Sequence, residues 1–329
     1  MGIDTDFEFA HKHAGAPLAA VAEAAADLLG PLRGFVGHHK KRTWKGHGFN
    51  MIWRPNHGGQ SGPKDFFLEL NQTTETLEFT DITGTGVGNR GFLQNDIFLG
   101  ALGYLQQIKD RKIGPQHFEP GVWANAPATT DPTEPTTVIR MGSIPHGTSI
   151  NLQGVGFAAP APKIDPTTIT PFAIGSKDDG LTSLVHFPEE KNVQTAMPSR
   201  TPPSDVPGLD DAHLDNPNLF LTDVLAKQTV LSTTVLIITS EVKSTLANIT
   251  PPDPNAGGGT DSIAFLVGGP PSNAPNAAPA RVTAIFWIER VRDKGSDDEF
   301  DQLQYTQRVL LNFNGLSWPH ISVATLREA

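Results

Sequence analysis

Short runs of alternating, β-branched or aromatic residues, each ended by turn formers, recur along most of the chain: 43–54, 65–71, 75–82, 117–124, 137–144, 147–157, 230–243, 262–267, 281–291 and 302–313. No strand–helix–strand rhythm separates them, so a parallel sheet has no means of connecting its strands, and consecutive antiparallel strands remain. A sheet of that many strands must hide its two edges, and closing on itself removes both. The expected fold is therefore all-β: a closed antiparallel up-and-down barrel formed as a single domain over residues 1–329. The run 95–109 fits a helix or a buried strand by pattern and is assigned to strand.

The exceptions to the β pattern are few. Pro17 followed by Leu-Ala-Ala-Val-Ala-Glu predicts a helix over 17–29, stopped by Gly30-Pro31, so residues 1–30 form a short N-terminal helical segment. Stretches rich in Pro, Gly, Asn and Asp predict loops at 126–136, 187–219 and 251–260, continuing at 268–280. A connection as long as 187–219 suits a lid or a disordered segment. No internal repeat of fixed period is present.

Composition narrows the chemistry. A net charge of −10 leaves little basic surface for phosphates, which argues against nucleic acid as a partner. The basic run His38-His39-Lys40-Lys41-Arg42 reads as solvated surface. With no cysteine, thiolate catalysis, disulfides and zinc–cysteine sites are excluded, and any metal ligand must be histidine or carboxylate. Neither a secretory signal nor a membrane-spanning apolar stretch is visible, and Asp6 stands where a myristoylation signal requires Ser or Thr. A cytoplasmic address without membrane contact is expected.

Gly86-Val-Gly88-Asn-Arg-Gly91 matches a dinucleotide fingerprint in letters, but without a βαβ unit it reads as a glycine-rich hairpin. No nucleophile elbow, phosphate loop or His-Glu-x-x-His helix occurs. His117-Phe-Glu119 places an imidazole and a carboxylate on one face of a strand, where they either line a cavity or decorate an outer polar face. His146 falls in a turn, where bonding to neighbouring backbone is its ordinary role. His11, His13, His38 and His39 lack partners at metal-binding spacing. The cluster Asp210–Asp215 reads as loop.

Several segments in order resemble the nitrobindin family of haem-binding barrels, which are fatty-acid-binding-protein-like and lipocalin-like in fold. Leu29-Gly-Pro-Leu-Arg-Gly-Phe-Val-Gly37 and Trp44-Lys-Gly46-His-Gly48…Pro55 are similar to the family's opening strand. His117-Phe-Glu119-Pro-Gly121 and Pro145-His-Gly147…Gly154 are similar to two internal motifs. Gln302-Leu-Gln-Tyr305 and Trp318-Pro-His320…Leu326-Arg327 resemble the closing strands. The resemblance implies haem b, its iron held by His320, with Trp44 and His146 in the cofactor pocket and His117 and Glu119 as candidate catalytic groups. It also implies reaction of ferric haem with peroxynitrite, nitric oxide or peroxide. Residues 157–280 have no counterpart in the family and read as an insertion rich in loops. Two other functions remain open: a carrier of a fatty acid or other apolar molecule, and a cofactor-free lyase, isomerase or dehydratase using His117 and Glu119. A small-molecule ligand is expected in each case, and a homodimer is compatible with all three.

Overall fold

A computed structural model of the chain describes residues 28–59, 64–84, 87–89, 92–112, 114–131, 133–144, 146–176, 206, 208–241, 259–268 and 276–329. Most of the helix expected over 17–29 and most of the 187–219 loop lie outside these residues. Ten long strands dominate: β1 (Lys41–Pro55), β2 (Phe66–Asp81), β3 (Ile97–Asp110), β4 (Gly114–Ala126), β5 (Thr137–Ile144), β6 (Thr148–Ala159), β7 (Gln228–Thr239), β8 (Ala278–Asp293), β9 (Glu299–Phe313) and β10 (Leu316–Glu328). Each pairs antiparallel with its neighbours in sequence, and β10 returns to β1 with Trp44 opposite Glu328 and Ile52 opposite His320. The closed antiparallel barrel expected from the strand pattern is the fold observed.

The hairpin that brings β10 beside β9 is set by Asn314-Gly315, both at positive φ (47° and 76°), the backbone of a type I′ turn whose twist matches that of paired strands. The runs 65–71 and 75–82 prove to be one continuous strand, β2, because the polar residues between them sit in the ladder. The run 95–109 is strand β3, as assigned. The run 262–267 is not a strand: pairing stops at Ser262, and Ala264–Val267 forms a helical turn, α4 of the chain. The short strand Gly259–Ser262 pairs with Thr148–Asn151 and extends the wall where β7 has ended. Val87–Asn89 pairs with Ile97–Leu99, so the described part of the glycine-rich motif is β-structure, without the helix a dinucleotide site requires.

Two apolar layers flank the wall. Inside, Trp44, Phe79, Leu102, Trp123, Phe286 and Leu326 pack around a plug formed by a 3-10 turn (Gly30–Leu32) and the short helix α1 (Arg33–Val36), whose Leu32, Phe35 and Val36 are fully buried. The wall is thinned to admit the plug. A Cβ on Gly100 would sit 2.3 Å from the Leu28 carbonyl oxygen, and one on Gly156 would sit 2.6 Å from Pro31. Asn125 donates to the Leu28 carbonyl at 2.8 Å, and the Trp44 indole to that of Phe35 at 2.9 Å.

Outside, residues 160–176 and the helices α2 (Asp211–Asp215) and α3 (Leu219–Leu225) cover Phe49, Met51, Trp53, Trp287, Ile321 and Val323. The stretch 211–219, expected as loop, is thus largely helical, and the second helix runs on to Leu225. It folds because Asp210 caps α2 and because its apolar residues find a wall to cover. Covering on both faces explains why residues 282–288 form a nearly unbroken apolar run instead of an alternating one. Arg42, expected in solvated surface, is buried instead: its guanidinium lies 4.3 Å from the centre of the Trp44 ring and pairs with Asp301 and Glu328.

Beneath α3 lies a buried polar patch in which Gln302 bridges Glu289 (2.8 Å) and Gln228 (3.0 Å), and Gln304 donates to the Leu221 carbonyl (3.1 Å). Burial pushes the Glu289 carboxyl up to about 7, against an ordinary 4.5, with the Gln302 bond opposing it. Between those values the unfolded chain ionises while the folded one does not, so stability falls as pH rises from about 4.5 to 7. Glu289→Gln should remove that slope and raise stability above pH 7 by on the order of 3 kcal/mol, read from denaturation midpoints at pH 5 and 8. An unchanged pH slope in the variant would assign the titration elsewhere.

Candidate functional site

Beyond the plug, the lumen changes character from aromatic to polar. On β2, the alternation that turns Leu77 and Phe79 inward also turns in Asn71, Thr73 and Glu75; on β4, Trp123 is followed down the strand by Glu119 and His117. His117 and Glu119 therefore belong to the lumenal face, and their reading as outer decoration is overturned. Glu119 is fully buried. Arg140 donates to its Oε1 at 2.6 Å, Tyr104 shares the same oxygen through a short hydrogen bond, and His117 Nε2 lies 3.4 Å from Oε2. Arg140 also donates to Tyr104 Oη at 3.2 Å and to Gln307 at 2.8 Å. Burial works against charge on Glu119, but Arg140 with the His117 and Tyr104 bonds outweighs it and holds the carboxyl down at about 2. Burial raises the Tyr104 hydroxyl well above its usual range, so this group stays a proton donor to the carboxylate.

A second such pair stands on β2 and β9. Tyr305 donates to Glu75 at 2.5 Å, Thr73 donates to the other carboxylate oxygen at 3.0 Å, and Gln106 donates to Tyr305 at 3.1 Å. Burial raises the Glu75 carboxyl, and the bonds from Tyr305, Thr73 and Gln106 only partly offset it. The chain's two tyrosines are thus both lumenal and both bonded to glutamate. Small residues make this possible: a Cβ on Gly142 would lie 2.4 Å from the Tyr104 oxygen, and one on Gly48 would lie 2.4 Å from Glu75.

Toward the end away from the plug three imidazoles gather. His146, exposed in the β5–β6 hairpin, has its ring 5.9 Å from that of His117. His320 on β10 lies on the face shared by Ala324 and Leu326 of the lumenal core, with Ser322 Oγ 3.3 Å from its Nε2. Desolvation, reinforced by His117, His146 and Arg54, depresses His320 to about 3, so its ring is uncharged at neutral pH. Its surface is nevertheless partly accessible. His146 is also depressed, by burial and then by His117 and Arg54.

Next to His320, Asn50 and Asn71 stand opposite each other across β1 and β2, with Asn50 also opposite Ser322. Both are buried, yet Asn50 Oδ1 and both polar atoms of the Asn71 amide have no hydrogen-bond partner. Orphaned buried amides are costly and usually belong to a water or ligand. Nothing in the sequence marked these two asparagines, because only closure of the barrel places them beside the histidine. Of the residues expected at a cofactor pocket, His320, His146 and His117 are brought into one region. Trp44 is in the plugged end, eight residues along β1 from the partner of His320, roughly 26 Å at strand rise. Among the described residues, no group of three or more histidine and carboxylate side chains is placed to hold a metal ion on its own. No helix among them is long and apolar enough to cross a membrane.

The barrel is therefore one capable of ligand binding, with a plugged aromatic end, a polar waist and three histidines at the other end. A scan against protein-family models finds no match, and searches of curated proteins and of solved structures likewise return none.

Proposed function

We propose that this chain is a lumenal haem-binding barrel of the nitrobindin type, with His320 as the iron ligand. The observation that carries the reading is the state of His320: inward on a barrel strand, kept uncharged by its surroundings and still partly accessible. An uncharged imidazole is the form that binds iron, and a site without cysteine leaves histidine as the natural axial donor. The residues around it suit the group's other needs. His117 and His146 supply polar groups at that end for anionic side arms, with Arg54, itself paired to Glu69 at 2.7 Å, close by, while Asn50 and Asn71 offer unused hydrogen-bonding capacity beside the ligand. Bound ferric haem would supply the redox and oxygen-transfer chemistry toward peroxynitrite, nitric oxide or peroxide that the family resemblance implies. The chain's own part is to hold His320 neutral, to keep Glu119 ionised through Arg140, and to orient His117 through Glu119.

The test is a titration of the purified full chain with haemin, followed in the visible spectrum. A saturable Soret shift with one equivalent is expected, and His320→Ala should weaken binding by at least about 100-fold, more than loss of an outer-shell partner costs. His117→Ala should leave the Soret band in place. An unaltered band in His320→Ala would remove His320 as ligand, and no band in the native protein would overturn the reading.

The unsatisfied Asn50–Asn71 pair favours a second reading, an iron-free carrier whose ligand brings a polar group to these amides. Mass spectrometry of the native extract, showing an organic molecule and no porphyrin, would select it.

A further inference from the structure

The outer wall carries a groove whose apolar side chains face away from the lumen. Between α3 and the strands β1 and β10 runs a groove of about 470 Å³, within the size range of small-molecule sites. Phe49 and Val323 form its floor, and Phe220, Leu221 and Val224 its other side. One end is cationic. Lys45 and His47 line the groove and also a neighbouring trough of about 400 Å³, together with Thr74, Thr76, Gln107 and Lys109. Register explains the clustering: Lys45 pairs across to Arg327 on one side and to Thr76 on the other, and Thr74 stands opposite both His47 and Lys109.

In a chain of net charge −10 this is a local reversal of sign. Lys45, His47 and Lys109 are exposed and have no acidic partner among the described residues. The one carboxylate in the trough's lining, Glu75, is turned inward to Tyr305 and Thr73. An apolar slot leading to unpaired cations and hydroxyls is complementary to a molecule with an alkyl tail and one anionic head. We propose that this groove binds a single-chain alkyl carboxylate, with the tail under α3 and the head at Lys45 and Lys109. The site lies on the opposite face of the wall from His320 and is independent of the haem reading.

The test is calorimetric titration of the full chain with sodium dodecanoate below its micellar concentration. One saturable site is expected, with dodecanol and acetate binding at least tenfold more weakly, since each lacks half of the recognised chemistry. Lys45→Glu with Lys109→Glu, both at exposed positions, should lower dodecanoate affinity at least tenfold, and Val224→Trp should do the same by filling the slot. His320→Ala should leave the affinity unchanged. Loss of binding in His320→Ala with the lysine variant unaffected would place the carboxylate in the lumen and overturn the proposal. So would equal affinity for dodecanol, the absence of a saturable site, or light scattering that shows the groove covered by a second copy of the chain.

Discussion

Arg140→Met is expected to cost about 3–5 kcal/mol of folding stability, because it leaves Glu119 charged and buried without its counter-ion. Three of the guanidinium's bonds go with it, those to Glu119, Tyr104 and Gln307. The double variant Arg140→Met with Glu119→Gln should recover much of the loss, since a neutral amide tolerates the site far better than an unpaired carboxylate. Denaturant midpoints at constant slope measure both.

The pH dependence gives a second readout of the same pair. Glu119 is depressed in the folded protein, so its contribution is present above its ordinary value of 4.5 and is lost as pH falls toward about 2. Without Arg140 only His117 and Tyr104 oppose burial, so the carboxyl rises and the variant should lose much of that acid-labile stabilisation. A cost below about 1 kcal/mol would mean that water or another group already compensates Glu119.

Phe35→Ala should be comparably severe, at about 3–5 kcal/mol, the usual cost of truncating a buried phenylalanine. Phe35 is fully buried at the centre of the plug, stacked on Phe79 at 4.2 Å and edge-on to Trp123 and Phe286 at 5.1 and 6.0 Å. The variant should also release the amides of residues 32–36 to faster hydrogen exchange, with the β9–β10 hairpin still protected. Protection of the plug amides at native level would show that Leu32 and Val36 suffice to hold it.

Both residues show where sequence reading reaches its limit. The strand pattern, the turn residues between strands and the absence of a βα rhythm were enough to specify an antiparallel barrel, because each is a local property and closure is the general answer to exposed edges. The inward direction of Glu119 was not legible. Period two states that His117 and Glu119 share a face, but not which face meets the lumen; only the packing of Trp123 further along β4 decides that. The helical stretch 211–225 was missed because its apolar residues have no periodic partner in sequence; the wall they cover comes from strands as distant as β1 and β10. The Asn314-Gly315 turn, by contrast, was available as a hairpin signal and fixes the final strand that carries His320.

What the sequence determined alone was the kind of object: many strands, turns in the right places, no thiol chemistry, and a histidine near the end of the chain. The tertiary structure decided everything that depends on which side of the wall a residue meets. It sealed one end of the lumen with residues 29–36, put Arg140 against Glu119 and Tyr305 against Glu75, and set the Asn50–Asn71 amides beside His320. The physical reason is that a strand's alternation is local, whereas inside and outside exist only once the tenth strand has paired with the first.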